Sequence, residues 1–149
     1  MKMNIKRFED LTVDELYDII KLRLEVFSVE QNCVYNDLDN NDKKAYHIYC
    51  TNDVGDIIAT MRIADPHTRF EEVSVGRIVV KKECRKEGIA GRMINFAISF
   101  IKEVYTTKKI MISAQSRLLS FYESLGFVKN SDEYMEDDIP HIEMFYEIK

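Results

Sequence analysis

A cationic segment with two glycines stands between an apolar run and a long amphipathic stretch of the chain. It covers residues 85–91 and reads RKEGIAG. Glycines let the backbone turn closely around a ligand, and the unpaired N–H groups at the start of a helix favour an anion. Residues 81–87 carry four cations and two anions, in a chain whose formal net charge is −5. The segment therefore predicts a phosphate or pyrophosphate site, with an ordinary solvated turn as the alternative.

The spacing of the glycines excludes two common phosphate-binding loops. The pattern GxxxxGK[ST] of a P-loop is absent from the chain. The pattern GxGxxG of a Rossmann turn would place its first glycine directly after the strand, whereas seven residues lie between Val80 and Gly88. A different kind of phosphate loop is therefore expected here.

Length and composition favour one compact domain over residues 1–149. The chain has 149 residues, of which 46% are hydrophobic and 32% are charged, enough to bury a sizeable core. Its 21 basic residues against 26 acidic residues argue against general binding to nucleic acid or to an anionic membrane. We therefore expect no nucleic-acid or membrane partner. The oligomeric state is left open, with a homodimer among the alternatives.

The cysteines and the N-terminal segment bear on cellular location. Cys33, Cys50 and Cys84 are odd in number, widely spaced and without a CxxC pair, so they indicate neither a disulfide framework nor a zinc site. The N-terminal segment MKMNIKRFEDL lacks the apolar core of a signal peptide. No segment approaches the roughly 20 apolar residues that span a bilayer. These features predict a cytoplasmic protein with reduced thiols.

Strands and helices are predicted to alternate along the chain. Thr12 and Glu15 have the spacing of a capping box, followed by apolar residues at helical spacing as far as Phe27. A second helix is expected at residues 89–104, and Ser116 is expected to cap a third. Strands are predicted at residues 3–8, 45–51, 57–64, 73–80, 109–114, 127–129 and 141–148. This order predicts an α/β fold, a mixed sheet with helices on its faces.

A polar loop has the alternating carboxylates of a calcium loop but fails the rest of the pattern. Asp37, Asp39 and Asn41 occupy alternate positions. The sixth position is Asp42, where an EF-hand needs glycine, and the twelfth is Ile48, where it needs a bidentate glutamate. No metal site is therefore predicted.

Two motifs and three longer segments are similar to one known family. Arg85, Gly88 and Ala90 in RxxGxA, preceded by the strand VGRIVV, resemble the acetyl-CoA pyrophosphate loop of the GNAT N-acetyltransferases. FYESLGF at residues 121–127 resembles the FYxxxGF helix and strand start of the same family. The segments that resemble the ElaA-type branch are LRLEVFSVEQNCVYNDLDNND (22–42), SAQ (113–115) and YMEDDIPHIEM (134–144). Together these cover essentially the whole chain, with Ala90 in place of the second glycine of the family pattern.

The resemblance implies a GNAT fold, a mixed and mostly antiparallel sheet with helices on both faces. It also implies transfer of an acetyl group from acetyl-CoA to a primary amine that attacks directly in a ternary complex. Pantetheine would lie along the backbone of Ile78, Val79 and Val80, with an N–H near Val79 as the oxyanion donor. The further cofactor-binding residues that it implies are Arg85, Lys86, Gly88, Ile89, Ala90, Gly91, Gln115 and Phe121. The acceptor amine is not identified by the sequence.

The resemblance assigns acid chemistry to Tyr122. A phenol is protonated at neutral pH and can donate to the departing sulfur. The alternative is a tyrosine that only packs in the core, since Leu125 and other apolar residues surround it. The candidate general bases are His141, Glu72 and Glu30, in that order, because an imidazole titrates near neutral pH. The carboxylates would act through a bound water.

Two alternatives for the acidic segment and two other functions are left open. In a GNAT arrangement the residues after the first helix border the acceptor pocket, so Glu30, Asp37 and Asp39 could attract a cationic amine; otherwise the loop is simply solvated.

A non-catalytic acyl-CoA-binding module that acts through a protein partner would need the RKEGIA loop but neither Tyr122 nor a base. A nucleotide-binding protein that uses the loop for other phosphates is the third function considered.

Overall fold

A computed structural model describes all residues from Met1 to Lys149, and it contains one sheet of eight strands. The strands are β1 (Lys2–Arg7), β2 (Ala45–Thr51), β3 (Ile57–Ala64), β4 (Ser74–Val80), β5 (Lys109–Gln115), β6 (Val128–Lys129), β7 (Tyr134–Glu136) and β8 (Ile139–Glu147). They lie in the order β1-β2-β3-β4-β5-β8-β6, with β7 also paired to β8. Only β4 and β5 run parallel. The predicted α/β fold with a mixed, mostly antiparallel sheet is confirmed, and β7 is an additional strand that the sequence pattern did not indicate.

The helices differ from prediction at two of their ends. They are α1 (Val13–Leu24), α2 (Ile89–Val104) and α3 (Leu119–Ser124). The capping box at Thr12 and Glu15 is confirmed, since each backbone N–H donates to the other residue's side chain. Helix α1 does not continue regularly to Phe27, because residues 25–30 form a π-helical segment. The prediction that Ser116 caps the third helix is wrong: a 3-10 turn begins there, and the buried Ser116 hydroxyl has no hydrogen-bond partner.

Helices α1 and α2 cover opposite faces of strand β4. Val79 packs with Leu22 and Val26 on the side of helix α1. Its neighbour Val80 packs against the main core, to which helix α2 contributes Ile89. Successive side chains of a strand point to opposite faces, so each side of β4 carries its own apolar layer. No helix combines the length and the apolar composition that crossing a membrane requires.

Strands β4 and β5 meet at one end and then diverge. The only residue pair in register between them is Ser74 with Met111, beside a hydrogen bond of 2.9 Å from the Met111 N–H to the Val73 carbonyl. Strand β5 continues to pair along its other edge with β8, as far as Gln115 opposite His141. The unpaired edges of β4 and β5 therefore face each other across a gap in the sheet.

Candidate active site

A cavity of about 540 Å³ lies where strands β4 and β5 diverge. Its walls include backbone and side chains of both strands, the start of helix α2, and helix α3. The segment after helix α1 and the β7–β8 hairpin also contribute to the lining. The cavity therefore brings together chain segments that lie far apart in the sequence. Of the residues predicted to bind the cofactor, those that line it are Ile78, Val79, Val80, Arg85, Lys86, Gly88, Ile89, Ala90, Gly91, Gln115 and Phe121.

The two glycines of the cationic loop occupy different backbone positions. Gly88 is the N-cap of helix α2 and has a φ of +76°, in the left-handed region that favours glycine. No side chain caps this helix, so its first N–H groups remain free to bind an anion. Gly91 lies inside the helix, where an added Cβ would sit 3.8 Å from Leu125 Cδ2, an ordinary contact. The left-handed conformation therefore favours a glycine at Gly88, whereas Gly91 has a helical backbone at the first turn of α2.

Arg85 is held by two neighbours within the protein. Its Nη1 and Nη2 lie 2.6 and 2.9 Å from the two carboxylate oxygens of Glu30. Its Nε donates to the Val80 carbonyl at the end of β4, at 3.0 Å. The pKa of Glu30 lies below its ordinary value, chiefly because of the hydrogen bonds from Arg85. Glu30 is therefore a poor candidate for the general base, although it lines the cavity.

Strand β4 carries a bulge beside the cavity. Thr60 pairs with Val79 and Arg62 pairs with Gly76, so one residue of β3 faces two residues of β4. The two residues are Arg77 and Ile78, and Arg77 has a φ of +51°. A non-glycine residue in the left-handed region costs about 1 to 3 kcal/mol, which the surrounding contacts must offset. A bulge interrupts the ladder locally, so polar backbone groups are released from pairing next to the cavity.

Tyr122 lies in helix α3 with 5% of its surface exposed, and it lines the cavity. Its ring makes edge contacts with Phe121 and Phe127, at centroid distances of 5.2 and 5.9 Å. Burial raises the pKa of Tyr122 to about 12. Tyr122 therefore combines a ring that packs in the core with a position in the wall of the cavity.

His141 lines the cavity and contacts a carboxylate that the sequence analysis did not select. Its Nδ1 lies 2.7 Å from the Ile139 carbonyl, which accepts a hydrogen bond when this nitrogen carries the proton. Its Nε2 lies 3.4 Å from Glu136 Oε2, and the ring stacks on Tyr134. Glu136 also accepts from Arg69 at 3.1 Å. In the tautomer that carries its proton on Nδ1, Nε2 is the acceptor nitrogen, and it lies beside the Glu136 carboxylate.

Glu72 is not brought to the cavity. It stands in the irregular segment before β4 and is absent from the lining, whereas Glu136 of the added strand β7 takes part in it. The Ser113 hydroxyl lies 2.5 Å from the Tyr134 hydroxyl, and together they support the wall near Glu136. Glu136 reaches this wall because β7 pairs with β8, with Glu136 opposite Ile139. The sequence pattern did not indicate β7, so Glu136 was not among the predicted site residues.

The remaining predicted cofactor residues have partners of their own. Gln115 donates to the side chain of Gln31 at 3.2 Å and accepts from Arg117 Nε at 3.1 Å. These hydrogen bonds link strand β5 to the segment after helix α1.

Lys86 has a φ of +69°, so the cationic loop places two left-handed residues, Lys86 and Gly88, just before helix α2. Such alternation of backbone conformation converges N–H groups on one point.

The polar loop after helix α1 is neutralised by arginines. Asp37 and Asp42 pair with Arg23 at 2.9 and 2.8 Å, and the Arg23 side chain is only 2% exposed. Arg62 pairs with Asp42 and with Asp39, at 2.9 and 2.6 Å. We call these five residues together with Arg77 the Arg–Asp cluster. The alternative that Asp37 and Asp39 attract a cationic amine is not supported, because three guanidinium groups already face the three carboxylates.

One sequence signal indicated this cluster. Arg23 stands four residues after Ile19 and three before Val26, on the apolar face of helix α1, where a charged residue must find partners when buried. His47 belongs to the same buried region. Its Nε2 lies 2.9 Å from the Asp42 carbonyl, and its burial lowers its pKa. His47 is therefore a structural residue.

Comparisons with known proteins agree with this geometry. A family model described as an acetyltransferase (GNAT) domain matches residues 10–148. A UPF0039 protein of Schizosaccharomyces pombe is 38% identical over 96% of this chain and 95% of its own length. Protein ElaA of Escherichia coli is 33% identical over 93% and 92%, and its crystal structure matches with a TM-score of 0.89 over 99% of this chain and 100% of that one.

A second solved structure is equally similar. It is an acyl-CoA N-acyltransferase from Pseudomonas aeruginosa, with a TM-score of 0.90 and 34% identity over 98% of this chain and 99% of that one. The resemblance read from the RxxGxA and FYESLGF motifs is confirmed by these matches. The chain belongs to the GNAT acetyltransferase family, in the group that contains the UPF0039 and ElaA proteins.

Proposed function

We propose that this protein transfers an acetyl group from acetyl-CoA to a primary amine by direct attack in a ternary complex. The proposal rests on one observation. The bulge of β4, the uncapped N-terminus of helix α2 and the protonated phenol of Tyr122 all lie at one cavity. Membership of the GNAT family supports acyl-CoA as the donor. The acetyl group and the amine acceptor are the finer parts of the proposal.

The cavity offers two kinds of contact to acetyl-CoA. The free N–H groups that follow Gly88 would bind the pyrophosphate, with Lys86 and Arg85 adding positive charge nearby. The exposed backbone edge of β4, from Ile78 to Val80, would hold pantetheine through main-chain hydrogen bonds, as an added strand would. The thioester would then lie between β4 and β5, within reach of helix α3.

The reaction needs three groups besides this positioning. The amine nitrogen attacks the thioester carbonyl carbon, and the carbonyl oxygen becomes an oxyanion that an N–H near Val79 would stabilise. The C–S bond then breaks, and the sulfur accepts a proton from the Tyr122 hydroxyl. A phenol with its pKa raised to about 12 keeps its proton across the neutral range, so it is available as donor.

His141 would remove the proton from the attacking amine. Its Nδ1 is occupied by the Ile139 carbonyl, so Nε2 is the nitrogen that accepts. The Glu136 carboxylate, 3.4 Å from Nε2, would stabilise the imidazolium that forms. His141 therefore remains the first candidate base in this proposal. Glu136 would support it, and Glu72 and Glu30 are no longer candidates.

The test is release of free CoA thiol from acetyl-CoA, measured across a panel of primary amines and peptides. We expect amine-dependent release, with kcat lowered about 100-fold in Tyr122→Phe and KM for acetyl-CoA changed less than about threefold. Tyr46→Phe is a matched control, because Tyr46 also packs its ring against the core but lies outside the cavity. Its kcat should equal that of the wild type.

Two outcomes would contradict parts of the proposal. Unchanged kcat in Tyr122→Phe would remove the proton-donor role while leaving the transferase. Acetyl-CoA binding without release to any amine would favour the acyl-CoA-binding module that acts through a protein partner.

A further inference from the structure

The bulge of β4 has an unusual side chain at its left-handed position. A residue with φ of +51° would ordinarily be glycine or asparagine, and the chain places Arg77 there instead. Its neighbour Gly76 has open space where a Cβ would stand. The strain at Arg77 must therefore be offset by contacts of its side chain.

Those contacts tie Arg77 to the loop after helix α1. Its Nη2 donates to the Asp37 carbonyl at 3.1 Å and to Asp39 Oδ2 at 3.4 Å. Its Nε lies 3.0 Å from Asp37 Oδ1, although the N–H is not aimed at that oxygen. Its guanidinium carbon lies 5.6 Å from the centre of the Tyr35 ring, and the Tyr35 hydroxyl donates to Asp37. Hydrogen bonds thus hold one edge of the Arg77 guanidinium, and the Tyr35 ring lies against its face.

The groups that hold Arg77 are themselves fixed. Asp37 is bound by Arg23 of helix α1, and Asp39 by Arg62 of strand β3. Both arginine side chains are 2% exposed. The Arg–Asp cluster therefore joins helix α1, the polar loop and strand β3 at one point, and Arg77 connects that point to the backbone of the bulge.

We propose that Arg77 is a positioning residue, whose guanidinium, held by Asp37, Asp39 and Tyr35, keeps the backbone of Ile78 and Val79 in place for the acyl carbonyl. This inference rests on the proposed function, because it concerns the same oxyanion donor. Arg77 acts through the backbone and transfers no proton. Its side chain sets the bulge, and the bulge sets where the N–H groups point.

The experiment compares Arg77→Gly and Arg77→Lys with Arg7→Lys. Glycine accepts a φ of +51° without strain but has no anchor, so it separates the backbone conformation from the side-chain contact. Lysine keeps the charge but loses the planar fork. Arg7→Lys is the matched control, because Arg7 also pairs with an aspartate and lies over a tyrosine ring, but outside the cavity and the Arg–Asp cluster. Thermal unfolding of each variant measures any general loss of stability.

Two measurements are made on each folded variant. The first is the backbone amide NMR signals of Ile78 and Val79 without substrate, compared with those of residues 88–91. The second is kcat and KM for acetyl-CoA. We expect both Arg77 variants to shift or broaden the Ile78 and Val79 signals and to lower kcat on the order of 100-fold, with KM changed less than about threefold. Arg7→Lys should leave these signals and kcat near wild type.

Each other outcome overturns the inference. Unchanged Ile78 and Val79 signals in Arg77→Gly would show that the bulge needs no anchor. Altered signals with wild-type kcat would remove the functional role, and an equal loss of kcat in Arg7→Lys would show that the effect is not specific to Arg77. Where Arg77→Gly does not fold, Arg77→Asn, which also tolerates the left-handed region, replaces it.

Failure of the proposed function is distinguishable from failure of this inference. A wild type that acetylates no amine overturns the former alone, because the NMR signals are measured without substrate. The ratio of acetyl-CoA affinity to CoA affinity then replaces kcat. We expect this ratio to fall in Arg77→Gly and not in Arg7→Lys, and an unchanged ratio would overturn the inference.

Discussion

Glu30 and Arg85 join the segment after helix α1 to the loop before helix α2 through a bidentate ion pair. The two carboxylate oxygens lie 2.6 and 2.9 Å from Arg85 Nη1 and Nη2, and both residues line the cavity. Because the pyrophosphate of the proposed donor would approach the same cations, Glu30 would oppose it by charge and by occupying the Arg85 donors. The hydrogen bond from Arg85 Nε to the Val80 carbonyl holds the arginine in place when Glu30 is absent.

Glu30→Gln is therefore expected to tighten acetyl-CoA binding. An exposed ion pair of this kind is worth up to about 1 kcal/mol, so we expect the Kd for acetyl-CoA to fall by about three- to fivefold at low salt. Calorimetric titration measures it. Glu25→Gln is the matched control, since Glu25 is on the same helical segment but outside the cavity. Weaker binding in Glu30→Gln would show that Glu30 supports Arg85 instead of opposing the cofactor.

His141→Gln is expected to lower kcat about 100-fold and to change KM for acetyl-CoA less than about threefold, because the glutamine amide cannot take up the proton of the attacking amine. Steady-state kinetics of the two proteins measure the difference. Glu72→Gln should keep the wild-type kcat, because Glu72 does not line the cavity. A kcat in His141→Gln equal to that of the wild type would exclude this base.

Glu15 should stabilise the fold above about pH 4.5 and lose this effect in acid. Burial alone would raise its pKa, but hydrogen bonds from the Thr12 N–H, the Tyr49 hydroxyl and Lys6 lower it to about 2. A lowered pKa means that stability is complete above the ordinary value and falls as pH drops towards the folded value. We expect Glu15→Gln to cost about 1 to 2 kcal/mol at pH 7.

Chemical denaturation of wild type and Glu15→Gln between pH 7 and pH 2 measures this difference. The free energies of unfolding of the two proteins should converge as the pH falls from 4.5 to 2. Other titrating groups are shared by both proteins and cancel in the difference. A difference that stays constant down to pH 2 would contradict the role of the Glu15 carboxylate.

Arg23→Met is expected to lower the free energy of unfolding by about 3 to 5 kcal/mol. The substitution leaves the buried carboxylates of Asp37 and Asp42 with one partner fewer, and uncompensated buried charge is costly. Arg7→Met is the comparison, because Arg7 pairs with Asp65 in a half-exposed position and should cost no more than about 1 kcal/mol. Urea denaturation distinguishes the two. Equal losses of unfolding free energy in the two variants would show that the buried ion pairs of Arg23 stabilise the fold no more than the pair of Arg7 with Asp65.

The features that the sequence determined are those set by consecutive residues. The left-handed turn at Gly88, the start of helix α2 and the capping box of Thr12 and Glu15 each depend on a few neighbours, so their patterns could be read directly. The two motifs that resembled the GNAT family are of the same local kind. They predicted the fold, which the structure confirms, and they selected the cationic loop and Tyr122 as candidate site residues, which line one cavity.

The tertiary structure decided which charged groups meet. Glu30 and Arg85 are 55 residues apart, and Arg62 and Asp39 are 23 apart, so no periodicity relates them. The short strand β7 brings Glu136 to His141, while Glu72, equally plausible by residue type, is left outside the cavity. The bulge at Arg77 is seen only in the pairing of β3 with β4, and the Arg77 side chain contacts the carbonyl of Asp37, 40 residues away in the chain. Contacts of this kind depend on how distant strands pair, and a single sequence does not encode that pairing in any local pattern.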